Sequence, residues 1–176
     1  MLSGYEIIPM QEIGFNEDIE ETGETFFDNA LIKADCIYRF VKAKELNYCV
    51  LADDSGLCVN ALDGMPGVYS ARYSGEHGNS KENRKKLLKE LKDKEDRSAY
   101  FECCLVFISE NGKIIRANGK TKGTILYEEE GDTSFGYDCL FLSEELKISF
   151  GKASKEDKNR VSHRAKALEE LLRKID

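Results

Sequence analysis

The apolar run Tyr48-Cys49-Val50-Leu51-Ala52 stops abruptly at Asp53-Asp54-Ser55-Gly56, and this junction constrains the fold more than any other stretch of the chain. Five apolar residues are too few for a buried helix and suit a buried strand. Two carboxylates, a hydroxyl and a glycine do not belong in a core, so they are expected at the rim of a sheet. Open α/β sheets take ligands there, beyond the carboxyl ends of their strands. Neighbouring carboxylates raise each other's cost of ionisation unless a proton or a cation sits between them. Mg²⁺ suits such a pair, because it is held by one or two carboxylates together with substrate phosphates. The tetrapeptide by itself reads equally well as a solvated turn; its place after a buried strand favours a site.

The flanking segments fill in an α/β pattern. Glu6-Ile7-Ile8 predicts a short strand, and the acidic stretch from Glu17 to Glu24 a loop. Thr25 is placed to cap a helix whose apolar face carries Phe27, Leu31, Ala34, Ile37 and Val41. Asp-Gly and Pro-Gly enforce turns between Ala61 and Tyr69. A charged helix is expected from Asn79 to about Glu95 on a narrow stripe of Leu87, Leu88 and Leu91. Strands are predicted over Ala99–Ile108, at Ile114-Ile115, over Gly123–Tyr127 and around Cys139–Leu142, with Asn111-Gly112 as a turn. A closing helix begins at the capping pair Ser154 and Asp157 and buries Val161, Ala165, Leu168, Leu172 and Ile175. Interleaved helices and strands favour α/β architecture with a mixed sheet. No linker or repeat divides the 176 residues, so one domain, 1–176, is expected.

Charge and cysteine use narrow the partners. A net charge of −7 argues against binding a nucleic-acid backbone, which calls for a basic face. A phosphorylated small molecule remains compatible, since a metal and a few local cations override the global sign. Cys36, Cys49, Cys58, Cys103, Cys104 and Cys139 form no C-x-x-C pair and are read as reduced core thiols. No apolar stretch reaches membrane-spanning length and no signal pattern opens the sequence, so no membrane partner and a cytoplasmic location are expected.

Four segments carry polar residues that a core would not choose. Glu20-Glu21-Thr22-Gly23 precedes the first helix, either as helix-end electrostatics or as a third carboxylate for the acidic site. Ser134-Phe135-Gly136-Tyr137-Asp138 is either a tight turn with two packed rings or a place for a planar ligand to stack and hydrogen-bond. Lys158 with Ser162-His163-Arg164 offers cations for phosphate or a donor to a base carbonyl, or else a solvated helix face. Gly64–Tyr73 reads mainly as structural turns, with Tyr69 and Arg72 as possible ligand contacts.

Taken in order, Glu20–Phe26, Asp28-Asn29-Ala30, Ala52–Leu57, Gly64–Tyr73, Phe135–Asp138 and Ser162–Ala167 resemble the non-canonical purine nucleoside triphosphate pyrophosphatases, the inosine triphosphatase family. The resemblance runs from about Ile7 to the C-terminal helix. It implies an elongated central mixed sheet flanked by helices, in two lobes with the active-site cleft between them. It also implies Mg²⁺-dependent hydrolysis of ITP, dITP and XTP to the monophosphate and pyrophosphate, in a homodimer. By the same resemblance Asp54 is the general base, and Glu20, Asp53 and Asp54 hold metal, with Glu21 as second choice to Glu20. Ser55 contacts substrate, Phe135 stacks on the purine with Gly136 and Tyr137 beside it, and Asp138 reads its N1 side. His163 and Arg164 approach the 6-keto group, and Lys158 helps hold the nucleotide.

The chain departs from that family at its start. Members open with a strand and a Thr-x-Asn-x-x-Lys-like loop that grips the phosphates, whereas Met1-Leu2-Ser3-Gly4-Tyr5 resembles the segment after it. On that basis a strand and a phosphate cradle are expected to be missing, with a catalytically impaired nucleotide-binding remnant as the alternative function. Cys139 stands where the family usually has proline, and Ser134 where glycine is common.

Overall fold

The computed structural model describes residues 5–175; Met1–Gly4, the first part of the segment expected to follow the phosphate loop, lie outside it. Helix α1 (Phe26–Ala43) starts as its sequence dictates, with the Thr25 side chain accepting from the Asp28 N–H and Asp28 reaching back to the Thr25 backbone. Strand β1 (Val50–Val59) follows, then α2 (Ser80–Glu90), β2 (Ser98–Ile108), β3 (Ile114–Ile125), β4 (Phe141–Ser143), α3 (Lys155–Val161) and α4 (His163–Ile175). The strands form one sheet in the order β1-β2-β3-β4.

Every pairing in that sheet is antiparallel, so the α/β expectation holds while the expected mixed sheet does not. The reason is local. β2 and β3 are joined by a tight hairpin at Ser109–Lys113, with Gly112 at φ +81°, and such a link enforces antiparallel partners. The two short strands expected at Ile114 and Gly123 are one continuous twelve-residue strand. Its middle is polar on one face, but Ala117 and Thr121 point into the core.

Three further expectations change. Glu6–Ile8 forms no strand: it has no ladder partner, Pro9 opens a turn after it, and Tyr5 merely packs edge-on against Phe107. β1 does not stop at Asp53 but pairs with β2 over its whole length, from Val50 opposite Ile108 to Val59 opposite Ala99. The closing helix is two helices. Ser162 adopts an extended backbone at φ −68°, ψ 152°, and its hydroxyl accepts from the Ala165 N–H. Across the break Ala167 and Leu171 fill the core, with Leu168 and Ile175 packed part-buried against it as expected, whereas Ala165 and Leu172 are not part of that cluster.

The sheet has a helix on each face. Val50, Ala52, Val106 and Ile108 meet Ala30, Ala34 and Val41 of α1 on one side. Cys103, Leu105, Phe107 and Ala117 meet Ala167 and Leu171 of α4 on the other. The approach of α4 is close enough to need a glycine: a Cβ at Gly119 would lie 2.1 Å from the His163 carbonyl oxygen. All six thiols are free. No helix among the described residues is long and apolar enough to cross a membrane.

Candidate active site

Successive residues of a strand point to opposite faces, and this fixes the geometry of the acidic pair. Asp54 lies on the α1 face, where Asn29 Nδ2 donates to its Oδ2 at 3.1 Å and Lys33 Nζ stands 3.5 Å from its Oδ1. Asp53 lies on the α4 face, where its Oδ2 accepts from Ser55 Oγ at 3.2 Å and pairs with Arg164 Nε at 3.1 Å. The expected joint coordination of one ion by Asp53 and Asp54 is therefore corrected: the sheet backbone separates the two carboxylates.

The carboxylate beside Asp54 is Glu21. Lys33 Nζ lies 2.8 Å from Glu21 Oε1, so one ammonium bridges Glu21 and Asp54. Glu20 is exposed and forms no ion pair among the described residues, which replaces it with Glu21 in the candidate metal set. Asn29 is fully buried and holds both sides of this cluster, since its Oδ1 also accepts from the Gly23 N–H at 2.7 Å. Burial pushes the Asp54 carboxyl up, and Lys33 and Asn29 pull it back only in part. Lys33 is the residue that sequence reasoning missed here, and Asn29, part of the Asp28-Asn29-Ala30 resemblance, had no role assigned. Their i, i+4 spacing behind the capping box was the available signal.

On the opposite face a cavity of about 250 Å³ gathers Ser55, Phe135, Gly136, Tyr137, Asp138, His163 and Arg164. Three of the four segments singled out by sequence thus meet in one place, joined by Ser70 and Ala71 of the turn region. Tyr69 is exposed and Arg72 lies over its ring. Phe135 is 62% exposed and offers a free aromatic face, with Lys158 Nζ 5.0 Å from its centroid. Lys158 also pairs with Asp138. Burial raises the Asp138 carboxyl, opposed by that ammonium.

His163 is packed at the cavity floor, its ring stacked on Phe101 at 5.1 Å and 17°. Burial, with help from Arg164 and Lys158, lowers its pKa to about 4, so the imidazole is neutral near pH 7. Its Nδ1 is buried without a hydrogen-bond partner among the described residues, where the ring lines the cavity. Below the cavity α2 supplies two more residues that sequence reasoning missed, Asn83 and Arg84, buried to 2% and 4% exposure in an otherwise charged helix. A wider cleft of about 650 Å³ runs along the free edge of β1, with Lys33 and Asp53 both in its wall.

The donor chemistry fits a divalent cation on the α1 face. Glu21 and Asp54 already hold a cationic group between them, and two carboxylates completed by phosphate oxygens are a normal Mg²⁺ environment. Among the described residues no cluster of three or more His, Cys, Asp or Glu is placed to hold a metal ion, so a cation here would need its remaining ligands from substrate or water.

A family model described as the Ham1 family matches residues 1–174. A dITP/XTP pyrophosphatase of Clostridium tetani is 44% identical over 169 residues, 96% of this chain and 83% of the relative. The dITP/XTP pyrophosphatase of Haemophilus influenzae is 46% identical over 176 residues, 98% of this chain and 87% of the relative. Among solved structures, the Staphylococcus aureus Ham1 protein superposes with a TM-score of 0.86 at 39% identity, covering 97% of this chain and 86% of that one. A HAM1 protein from Coxiella burnetii gives 0.84 at 38% identity, covering 96% and 84%.

Proposed function

This chain belongs to the Ham1 family, and on that premise we propose that it is a nucleoside triphosphate pyrophosphatase acting on non-canonical purine nucleotides. It hydrolyses dITP, ITP or XTP between the α- and β-phosphates, releasing the monophosphate and pyrophosphate and clearing deaminated purines from the nucleotide pool. The observation that carries this reading is the cavity floored by His163 and walled by Phe135–Asp138 beside the edge strand β1, whose other face carries the part-buried carboxylate Asp54, so that a nucleotide reaches both around that edge.

Phe135 takes the purine face, and Asp138 accepts a hydrogen bond from N1–H. Arg164, freed from its exposed pair with Asp53, donates to the 6-keto oxygen with His163 beside it. Adenine offers an N1 acceptor and a 6-amino donor instead, which leaves the carboxylate and the guanidinium unpaired. Ser55 contacts the substrate where β1 passes the cavity, and Lys158 carries positive charge to its mouth. Asp54 accepts a proton from the attacking water, and its raised pKa suits it to a base working closer to neutrality.

Glu21 and Asp54 are the residues that would hold Mg²⁺, which supplies charge neutralisation for the polyphosphate. We extend the proposal to a homodimer and a cytoplasmic location, both supported by family membership; sedimentation velocity tests the first and localisation of a tagged chain the second. The decisive assay incubates the purified chain with dITP, XTP, ATP and Mg²⁺ and separates the products. Pyrophosphate plus monophosphate from dITP or XTP, abolished in Asp54→Asn, is expected. Release of orthophosphate alone, equal use of ATP, or binding of dITP without turnover overturns the assignment.

A further inference from the structure

The buried polar pair on α2 is not accounted for by the chemistry above. A helix as charged as Ser80–Glu90 packs through Leu87 and, just past its end, Leu91, yet two adjacent polar residues are also sequestered in it. They reach in two directions. Asn83 Nδ2 donates to the Ala71 carbonyl at 3.2 Å, while its Oδ1 accepts from Ser74 N–H and Oγ at 2.7 and 2.8 Å. Arg84 Nε donates to Glu129 Oε1 at 2.6 Å and its Nη1 to the Gly136 carbonyl at 2.9 Å. Tyr137 Oη closes the loop by donating to the Ser70 carbonyl at 2.9 Å. Asn83 thus holds one wall of the cavity and Arg84 the other.

We propose that Arg84 is a positioning residue for the purine slot, fixing the Phe135–Gly136–Tyr137 wall at the spacing that a flat base requires. Gly136 sits at φ +48° with nothing within 4 Å of where a Cβ would be, so packing alone does not lock it. A rigid trans peptide turns as one plane, so anchoring the Gly136 oxygen sets the orientation of the whole Gly136–Tyr137 unit. The bond from guanidinium to carbonyl is charge-assisted and part-buried, hence among the stronger single anchors available. Arg84 contacts Glu129 and Gly136 and neither Asp54 nor Glu21, so its influence falls on the purine slot.

This inference rests on the proposed nucleotide reaction, and the test separates the two. Steady-state hydrolysis of dITP is compared in wild type, Arg84→Met and Arg84→Lys, with inorganic triphosphate, which has no base, as a competitive inhibitor. Arg84→Met is expected to raise KM for dITP by about 10- to 100-fold, the loss that removing a charge-assisted hydrogen bond brings. Its kcat falls by less than about threefold and inhibition by triphosphate is unchanged, while Arg84→Lys restores part of the KM. A KM within twofold of wild type, or parallel loss in kcat, KM and triphosphate inhibition, overturns the positioning role. Should Arg84→Met fail to fold, Glu129→Ala, at a half-exposed position, decides: a KM rise of threefold or more supports the role and an unchanged KM overturns it. If wild type does not turn over dITP, the functional assignment falls and the inference with it; an active wild type with unaffected variants overturns the inference alone.

Discussion

Acid should find His163 before it finds most of the fold. In the unfolded chain an imidazole titrates near 6.5, whereas burial holds His163 down to about 4. Between those values the unfolded state binds a proton that the folded state refuses, so stability falls as pH drops from 6.5 and the loss is complete near 4. At about 1.4 kcal/mol per pH unit, the gap corresponds to roughly 3 kcal/mol, a large part of a typical domain's stability. The perturbation is His163→Phe, which keeps a ring on Phe101 and removes the titrating nitrogens. The exposed His77 is replaced by Gln in both proteins so that position 163 alone differs. Urea denaturation at pH 7.5, 6.5, 5.5 and 4.5 gives both stabilities; carboxylates titrate in both proteins and cancel in the difference. The variant should gain on the parent progressively below pH 6.5, by about 3 kcal/mol at full protonation. Parallel curves across that range would refute the assignment of His163 as a buried neutral imidazole.

Asp54→Asn should lower kcat by about 10²- to 10⁴-fold, the usual contribution of a general base, without lowering the melting temperature, because it removes a charge that burial already disfavours. Lys158→Met strands the buried Asp138 carboxylate and should cost about 2 kcal/mol at pH 8 in urea melts. That loss shrinks towards pH 4, because the already raised Asp138 pKa rises further and the protonated acid no longer needs the ammonium; adding Asp138→Asn should restore stability at pH 8. Gly119→Ala drives a methyl into the α4 backbone and should lower the melting temperature by roughly 5–10 °C in calorimetry, in line with overpacking costs of about 2–3 kcal/mol.

Features set by neighbours in the chain were legible before the structure. Thr25 and Ser154 cap helices as their spacing with Asp28 and Asp157 requires, because capping is local chemistry. Features that depend on distant partners were not. Glu6–Ile8 has strand composition but nothing to pair with, and Ile114–Ile125 is continuous because β2 supports the polar middle that looked like a gap. The helix break at Ser162 hides in sequence because Val161 and Ala165 keep helical spacing across it. In the site, Ser55, Phe135–Asp138, His163 and Arg164 line one cavity although they lie far apart in the chain, whereas the choice of Glu21 over Glu20 follows from where Lys33 points. The separation of Asp53 from Asp54 was available in principle from the two-residue alternation of strands. The change from apolar to acidic residues at Asp53 masks it, because it looks like the end of the strand.

That alternation makes β1 intolerant of changes in length. Were one residue added or lost between Val50 and Asp53, the ladder with β2 would slip by one position and the two aspartates would trade compartments. Asp53 would turn to the α1 face and Asp54 to the α4 face, while Ser55 would leave the cavity for the helix α1 side. A single-residue indel here would thus keep every side chain of the motif and still dismantle the site, so length variation among related chains belongs in the loops and not in this strand.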